Sequence, residues 1–197
     1  MILEEGNMTY GHIIFLNGTS SSGKTTIAKA LQEKLTEPYM LVSVDDFFNM
    51  YPERFLLPKN QEDTAVLMRL FSAVISGLHS CVEALAKCGN NVIVDYVLQE
   101  KGWLEECIEN WVGLDVLFVG IKCPLELTEQ REKERGDRSI GTARYQFERV
   151  HAHDLYDVEV DTSLLSVEAC ATKIIEKVMA KPAHTAFQNL AKKPKSE

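Results

Sequence analysis

Gly18, Thr19, Ser20, Ser21, Ser22, Gly23, Lys24 and Thr25 match G-x-x-x-x-G-K-[ST] at every fixed position. A short apolar run, His12 to Leu16 (HIIFL), precedes this stretch, and an amphipathic one beginning at Thr25 follows it. Glycines at both ends permit a tight loop and a close approach that a Cβ would block. Amides of such a loop, backed by the positive end of a helix, attract phosphate oxygens. Lys24 has the reach to meet β- and γ-phosphates as a mobile point charge, and the Thr25 hydroxyl is a Mg²⁺ ligand type. Gly18 through Thr26 are therefore the expected nucleotide-binding residues.

Ligands of an open parallel sheet sit beyond the carboxyl ends of its strands. Asp45, Asp95 and Asp161 each close a short apolar run. Asp45 follows LVSV, and a carboxylate there can take the proton of an attacking hydroxyl. On an extended strand Asp46 points the other way, and it suits a helix N-cap ahead of Phe47 and Phe48. Phe47, Phe48, Tyr51 and Phe55 lie just beyond and suit a flat or ring-bearing alcohol, with at least one ring assigned to the core. Asp95 closes NVIVD and is the expected second Mg²⁺ residue. Asp161-Thr162 reads equally well as the start of a helix.

Arg131, Arg135 and Arg138 stand at i, i+4 and i+7 in REKERGDR, a spacing that shares one helix face. One reading is an exposed helix with pairs across turns, such as Glu134 with Arg138. The other is a clamp on the transferring phosphoryl group, carried on an element hinged at Gly136 and Gly141. The clamp is expected for Arg135 and Arg138, Arg131 is balanced between the readings, and Arg144 and Arg149 rank below them. His151 and His153 lack an acidic or Cys partner at ligand spacing, so both are assigned structural roles.

Two hydrophobic periods alternate around these residues. Val- and Ile-rich runs at 12–16, 40–44, 92–94, 116–121 and 156–160 read as buried parallel strands. Stretches at 25–35, 64–86, 103–111, 124–135 and 166–179 carry helical spacing, and Gly89 stops the second of them. Strands alternating with helices imply a doubly wound α/β sheet. Residues 47–60 and 136–141 fit neither period and read as irregular. The expected organisation is an N-terminal extension (1–11), one domain (12–180) with a lid near 131–150, and a poorly packed basic tail (181–197).

The chain is 45% hydrophobic and carries a net charge of −8. That apolar content excludes disorder as the main state, and the acidity argues against nucleic acid as principal partner. No uninterrupted apolar run approaches the ~18 residues of a membrane span, and the N-terminus has no basic segment of the signal-peptide kind. Five scattered cysteines without C-x-x-C do not form a disulfide framework. A cytoplasmic location is expected, and homo-oligomer formation is left open.

GTSSSGKTT, VDDF, NVIVD and the run from Leu114 to Ser163, above all RGDR and YDVEVDTS, resemble the chloramphenicol phosphotransferase family of small-molecule kinases. The resemblance spans His12 to about Val178. It implies a P-loop kinase fold with a five-stranded parallel core and helices on both faces. It also implies ATP-dependent phosphorylation of a small-molecule alcohol, an activity associated with antibiotic resistance. By position Asp45 matches the family's proposed base, Lys24 and Thr25 its loop residues, and Arg135 and Arg138 its lid motif. Asp46 to Glu62 is shorter than the acidic, Gly-rich segment of the antibiotic-modifying member, and Tyr96 stands where that member has a second acid. The nucleotide half therefore matches better than the acceptor half. A kinase of a nucleoside or sugar, or a nucleotide-binding regulator that hydrolyses ATP slowly, are the alternatives.

Overall fold

Ile13–Asn17 is buried at every residue, and a strand covered on both faces calls for parallel neighbours with helices above and below. In the computed structural model, which describes residues 9–136, 140–180 and 185–192, this strand (β1) is the centre of a five-stranded parallel sheet. The others are β2 (Tyr39–Ser43), β3 (Asn91–Tyr96), β4 (Val116–Lys122) and β5 (Val158–Asp161), in the order β2-β3-β1-β4-β5. The helices are α1 (Lys24–Lys34), α2 (Val44–Phe48), α3 (Gln61–Lys87), α4 (Lys101–Asn110), α5 (Leu125–Arg135), α6 (Thr142–Val150), α7 (Val167–Met179) and α8 (Ala186–Ala191).

Strand side chains alternate between two cores, as a period of two requires. Ile13, Phe15, Val94, Tyr96 and Phe118 pack with residues of α3, α4 and α8. Ile14, Leu16, Ile93, Leu117 and Val119 pack with α1 and α7. Helix α3 has the length and composition of a membrane-crossing helix, yet Val74, Ile75, Leu78, Val82 and Ala86 place its second half in the core. Gly89, at φ +86, stops it as expected.

Register sets the site. Asn17 lies opposite Tyr96, and Ser43 opposite Asp95, so β1, β2 and β3 end level at one edge. β1 lies between β3 and β4, and the chain leaves it toward β2 on one side and β4–β5 on the other. The crevice of a doubly wound sheet opens where that direction reverses.

Three expectations are corrected. Residues 47–60 are not wholly irregular: α2 runs into them, and Glu53–Phe55 is a 3-10 turn. Tyr156 and Asp157 precede β5 rather than belonging to it, because their side chains serve other elements. The Tyr156 ring fills the space over Gly120, and Asp157 Oδ2 accepts the Phe118 N–H at 2.9 Å. The tail is packed over Thr185 to Ala191. Asp157 Oδ1 accepts the N–H groups of Thr185 (2.8 Å) and Ala186 (3.0 Å), and Phe187 stacks on Trp111. Residues 1–8 of the expected extension, and 181–184 and 193–197 of the tail, lie outside the described residues.

Candidate active site

The loop between β1 and α1 is shaped by its glycines. A Cβ on Gly18 would lie 2.6 Å from the Ile121 carbonyl oxygen, and Gly23 caps α1 at φ +96. Ser21 takes φ +62, a left-handed conformation unusual for a side-chain-bearing residue. The buried Ser21 Oγ and Ser22 Oγ have no hydrogen-bond partner among the described residues. Unpaired hydroxyls in a glycine-bounded loop at a helix N-terminus are the donor set that phosphate oxygens satisfy. Lys24 is only 6% exposed; its Nζ donates to the Thr19 carbonyl (2.8 Å) and lies 4.0 Å from Asp95 Oδ1. The Thr25 hydroxyl donates to Asp95 Oδ2. The strand-end carboxylate of β3 is thus brought against both loop residues.

A cavity of about 720 Å³ opens over this loop. On the β4–β5 side its wall includes Arg131, Arg135, Thr162 and Leu165. On the β2–β3 side it includes Asp45, Phe48, Phe71, Gln99 and Trp103. Phe71 touches Phe48 (centroids 5.5 Å apart) and Trp103 (5.7 Å), forming a continuous aromatic wall.

Asp45 and Asp46 are separated by helix capping rather than by strand alternation. Ser43 is the N-cap of α2: its Oγ accepts the Asp46 N–H at 3.2 Å, and Asp46 Oδ2 accepts the Ser43 N–H at 2.9 Å. This is a capping box, in which Asp46 is the third helical residue and not the N-cap. Its carboxylate is committed to the helix end, while Asp45 stands on the cavity wall. Phe48 reaches the cavity. Phe47 packs against the core instead, and Tyr51 and Phe55 are exposed and do not line the cavity, with Arg54 over the Phe55 ring.

The shared arginine face ends early. Helix α5 stops at Arg135, where Gly136 turns left-handed at φ +68, and Arg138 lies outside the described residues. Arg131 and Arg135 both line the cavity. Arg131 is held by Thr162, through Oγ1 at 3.1 Å and the carbonyl at 3.2 Å. Arg144 forms a two-bond pair with Glu129, and Arg149 caps Tyr145 and stacks over its ring. Asp161 closes a local turn on Ser163.

Gln99, Gln146, Phe71, Trp103 and Thr162 were not singled out by sequence. Phe71 and Trp103 carried only helical periodicity, and Thr162 only a helix-start signal. The two glutamines carried none.

His151 and His153 pack against aromatic side chains. His153 stacks on Phe118, and His151 Nδ1 lies 2.5 Å from the Tyr156 hydroxyl. Burial, then the charges of Lys122, His153 and Lys24, push His151 down to about 3. The folded chain keeps this ring neutral, while the unfolded chain protonates it near pH 6.5. Its stabilisation is therefore complete above about pH 6.5 and is lost progressively as pH falls below that value toward 3. Denaturant midpoints should fall between about pH 7.5 and about pH 5.5 (about one unit either side of the free pKa), and His151→Gln should flatten that slope. An equal slope in the variant would refute the assignment.

The model of the family described as "Chloramphenicol phosphotransferase-like protein" matches residues 11–179. Proteins named "Putative O-phosphotransferase" from two Mycobacterium tuberculosis strains are 32% identical, over 94% of this chain and 90% of theirs. The APS kinase of Mycobacterium tuberculosis, solved with AMPPNP and APS, superposes with a TM-score of 0.65 at 18% identity, over 87% of this chain and 99% of that one. Shikimate kinase from Acinetobacter baumannii, solved with shikimate, gives 0.63 at 14% identity, over 88% and 96%. The fold is that of the P-loop kinases.

Proposed function

The chain belongs to the chloramphenicol phosphotransferase-like family, and from that membership we propose that it transfers the γ-phosphoryl group of ATP to a hydroxyl of an uncharged, ring-bearing small molecule. It is an ATP-dependent phosphotransferase with an alcohol acceptor. The observation that carries the acceptor reading is Asp45, set beside an aromatic wall in the same cavity as Lys24 and Thr25.

Each residue has a role in that reaction. Asp45 takes the hydroxyl proton as the oxygen attacks. Lys24 and Arg135 face the charge that develops on the transferring group. The Thr25 hydroxyl and the Asp95 carboxylate are hard oxygen donors already in contact, a set that fits Mg²⁺ and would hold it. When bound, that ion would neutralise further negative charge on the triphosphate. With ATP as donor, we place the reaction in the cytoplasm.

Charge distribution supports a neutral acceptor. Among the described lining residues, the cations Lys24, Arg131 and Arg135 come from the loop, α1 and α5, while the β2–β3 side presents Asp45, Gln99 and rings. An anionic alcohol placed there would lose water without meeting a cation among the described residues of that side. A panel of alcohols assayed for ADP release with ATP and Mg²⁺ tests this. Neutral aromatic alcohols, chloramphenicol included, should accelerate release by about 10²-fold or more, the scale of a positioned base. Anionic alcohols should not. Release insensitive to every acceptor would overturn the kinase reading in favour of a nucleotide-hydrolysing regulator, and a preference for anions would overturn the neutral pocket.

A further inference from the structure

Helix α6 and the phosphate-binding loop are far apart in sequence, yet one side chain joins them. Gln146 projects from α6 and is only 7% exposed. Its Oε1 accepts the backbone N–H of Ser20 at 2.8 Å, and its Nε2 donates to Gln99 Oε1 at 2.9 Å. A buried amide engaged at both ends resists displacement, because moving it strands a polar partner on each side.

The loop needs such support. Ser21, next to Ser20, holds φ +62, and a strained residue persists only where its surroundings over-determine it. One flank is fixed from just after β5, where the Thr162 hydroxyl donates to the Ser22 carbonyl at 2.8 Å. The other flank is fixed by Gln146. Helix α6 is itself anchored twice. Both Glu132 carboxylate oxygens accept N–H groups at its start, from Gly141 and Ala143, each at 2.8 Å. At its end, fully buried Asn17 donates to the Val150 carbonyl at 2.7 Å.

We propose that Gln146 is a positioning residue that acts through Ser20. It holds the phosphate loop in the shape that receives the triphosphate, and it makes that shape depend on the position of α6. The inference rests on the nucleotide-site reading given above. Without the bond to Gln146, Ser21 can relax to negative φ and carry the neighbouring amides away from the phosphates.

The test is calorimetric binding of AMPPNP with Mg²⁺, alongside steady-state kinetics. Gln146→Leu preserves bulk and helix propensity but removes both bonds. It should weaken AMPPNP binding and raise KM for ATP by roughly five- to tenfold, the worth of about one hydrogen bond. The protein should stay folded at the assay temperature. In a Ser21→Gly background, where positive φ carries no strain, the same substitution should cost roughly threefold or less. Should Gln146→Leu fail to fold, Gln146→Met, closest in length, is read identically. Unchanged AMPPNP affinity in the variant overturns the inference, as does an equal loss in both backgrounds. Failure of the unmodified protein to bind AMPPNP would instead overturn the nucleotide-site reading, and this inference with it.

Discussion

Lys24→Ala should lower phosphoryl transfer by about 10²–10³, or more, in a protein that remains folded. Lys24 is the first residue of α1, and its ammonium is drawn across the loop to Thr19 O and toward Asp95. On the proposed nucleotide reading, this desolvated cation meets the negative charge that accumulates on the β- and γ-oxygens. In a site with little water the interaction is worth far more than at a surface, and its loss falls mainly on the transition state. Folding should survive, because the Thr25 hydroxyl still donates to Asp95 and the loop backbone keeps its Ser22-to-Thr19 turn. Rates with saturating acceptor, beside thermal melting, separate the two effects. Near-normal turnover by folded Lys24→Ala would remove the nucleotide site from this loop.

Asp45→Asn should cost about 10²–10⁴ in transfer to the acceptor while leaving AMPPNP binding intact. The amide preserves size and removes the proton acceptor. Asp46→Asn is the matched control, since the two residues are adjacent and chemically alike. Asp46 is committed to the capping box with Ser43, so its substitution should cost on the order of 1 kcal/mol in stability and little in rate. Both variants are to be measured with one acceptor under saturating ATP and Mg²⁺. A dead Asp46→Asn beside an active Asp45→Asn would move the base by one residue. Activity in both would leave catalysis to positioning and charge stabilisation alone.

The placement of these aspartates shows how sequence reading worked by an incomplete route. Strand alternation set the two apart and nearness to the strand end favoured Asp45, but neither residue lies on the strand. The deciding pattern was Ser43-x-x-Asp46, a capping-box signature that is visible in sequence. It was obscured because the apolar run LVSV extends through Ser43 to Val44, and β2 ends one residue before the run does. The tail failed differently. Helix α8 has six residues, too short to nucleate alone, and it is held by an Asp157 carboxylate supplied from far upstream.

Local chain properties were legible without a structure. The phosphate loop is contiguous, its glycines act on their own backbone, and the flanking strand and helix announce themselves by period. The same holds for the buried strands, whose uninterrupted Val and Ile runs require a doubly covered parallel sheet. The tertiary structure decided everything that depends on which elements meet. It set Phe48, Phe71 and Trp103 along one wall of the cavity and turned Phe47 to the core. It brought Asp95 to Thr25 across 70 residues and Gln146 to Ser20 across 126. Such pairs leave no trace in periodicity, because each partner is acceptable to its own helix or loop alone. Only strand order and register, set by packing of the whole sheet, bring the two within hydrogen-bonding distance.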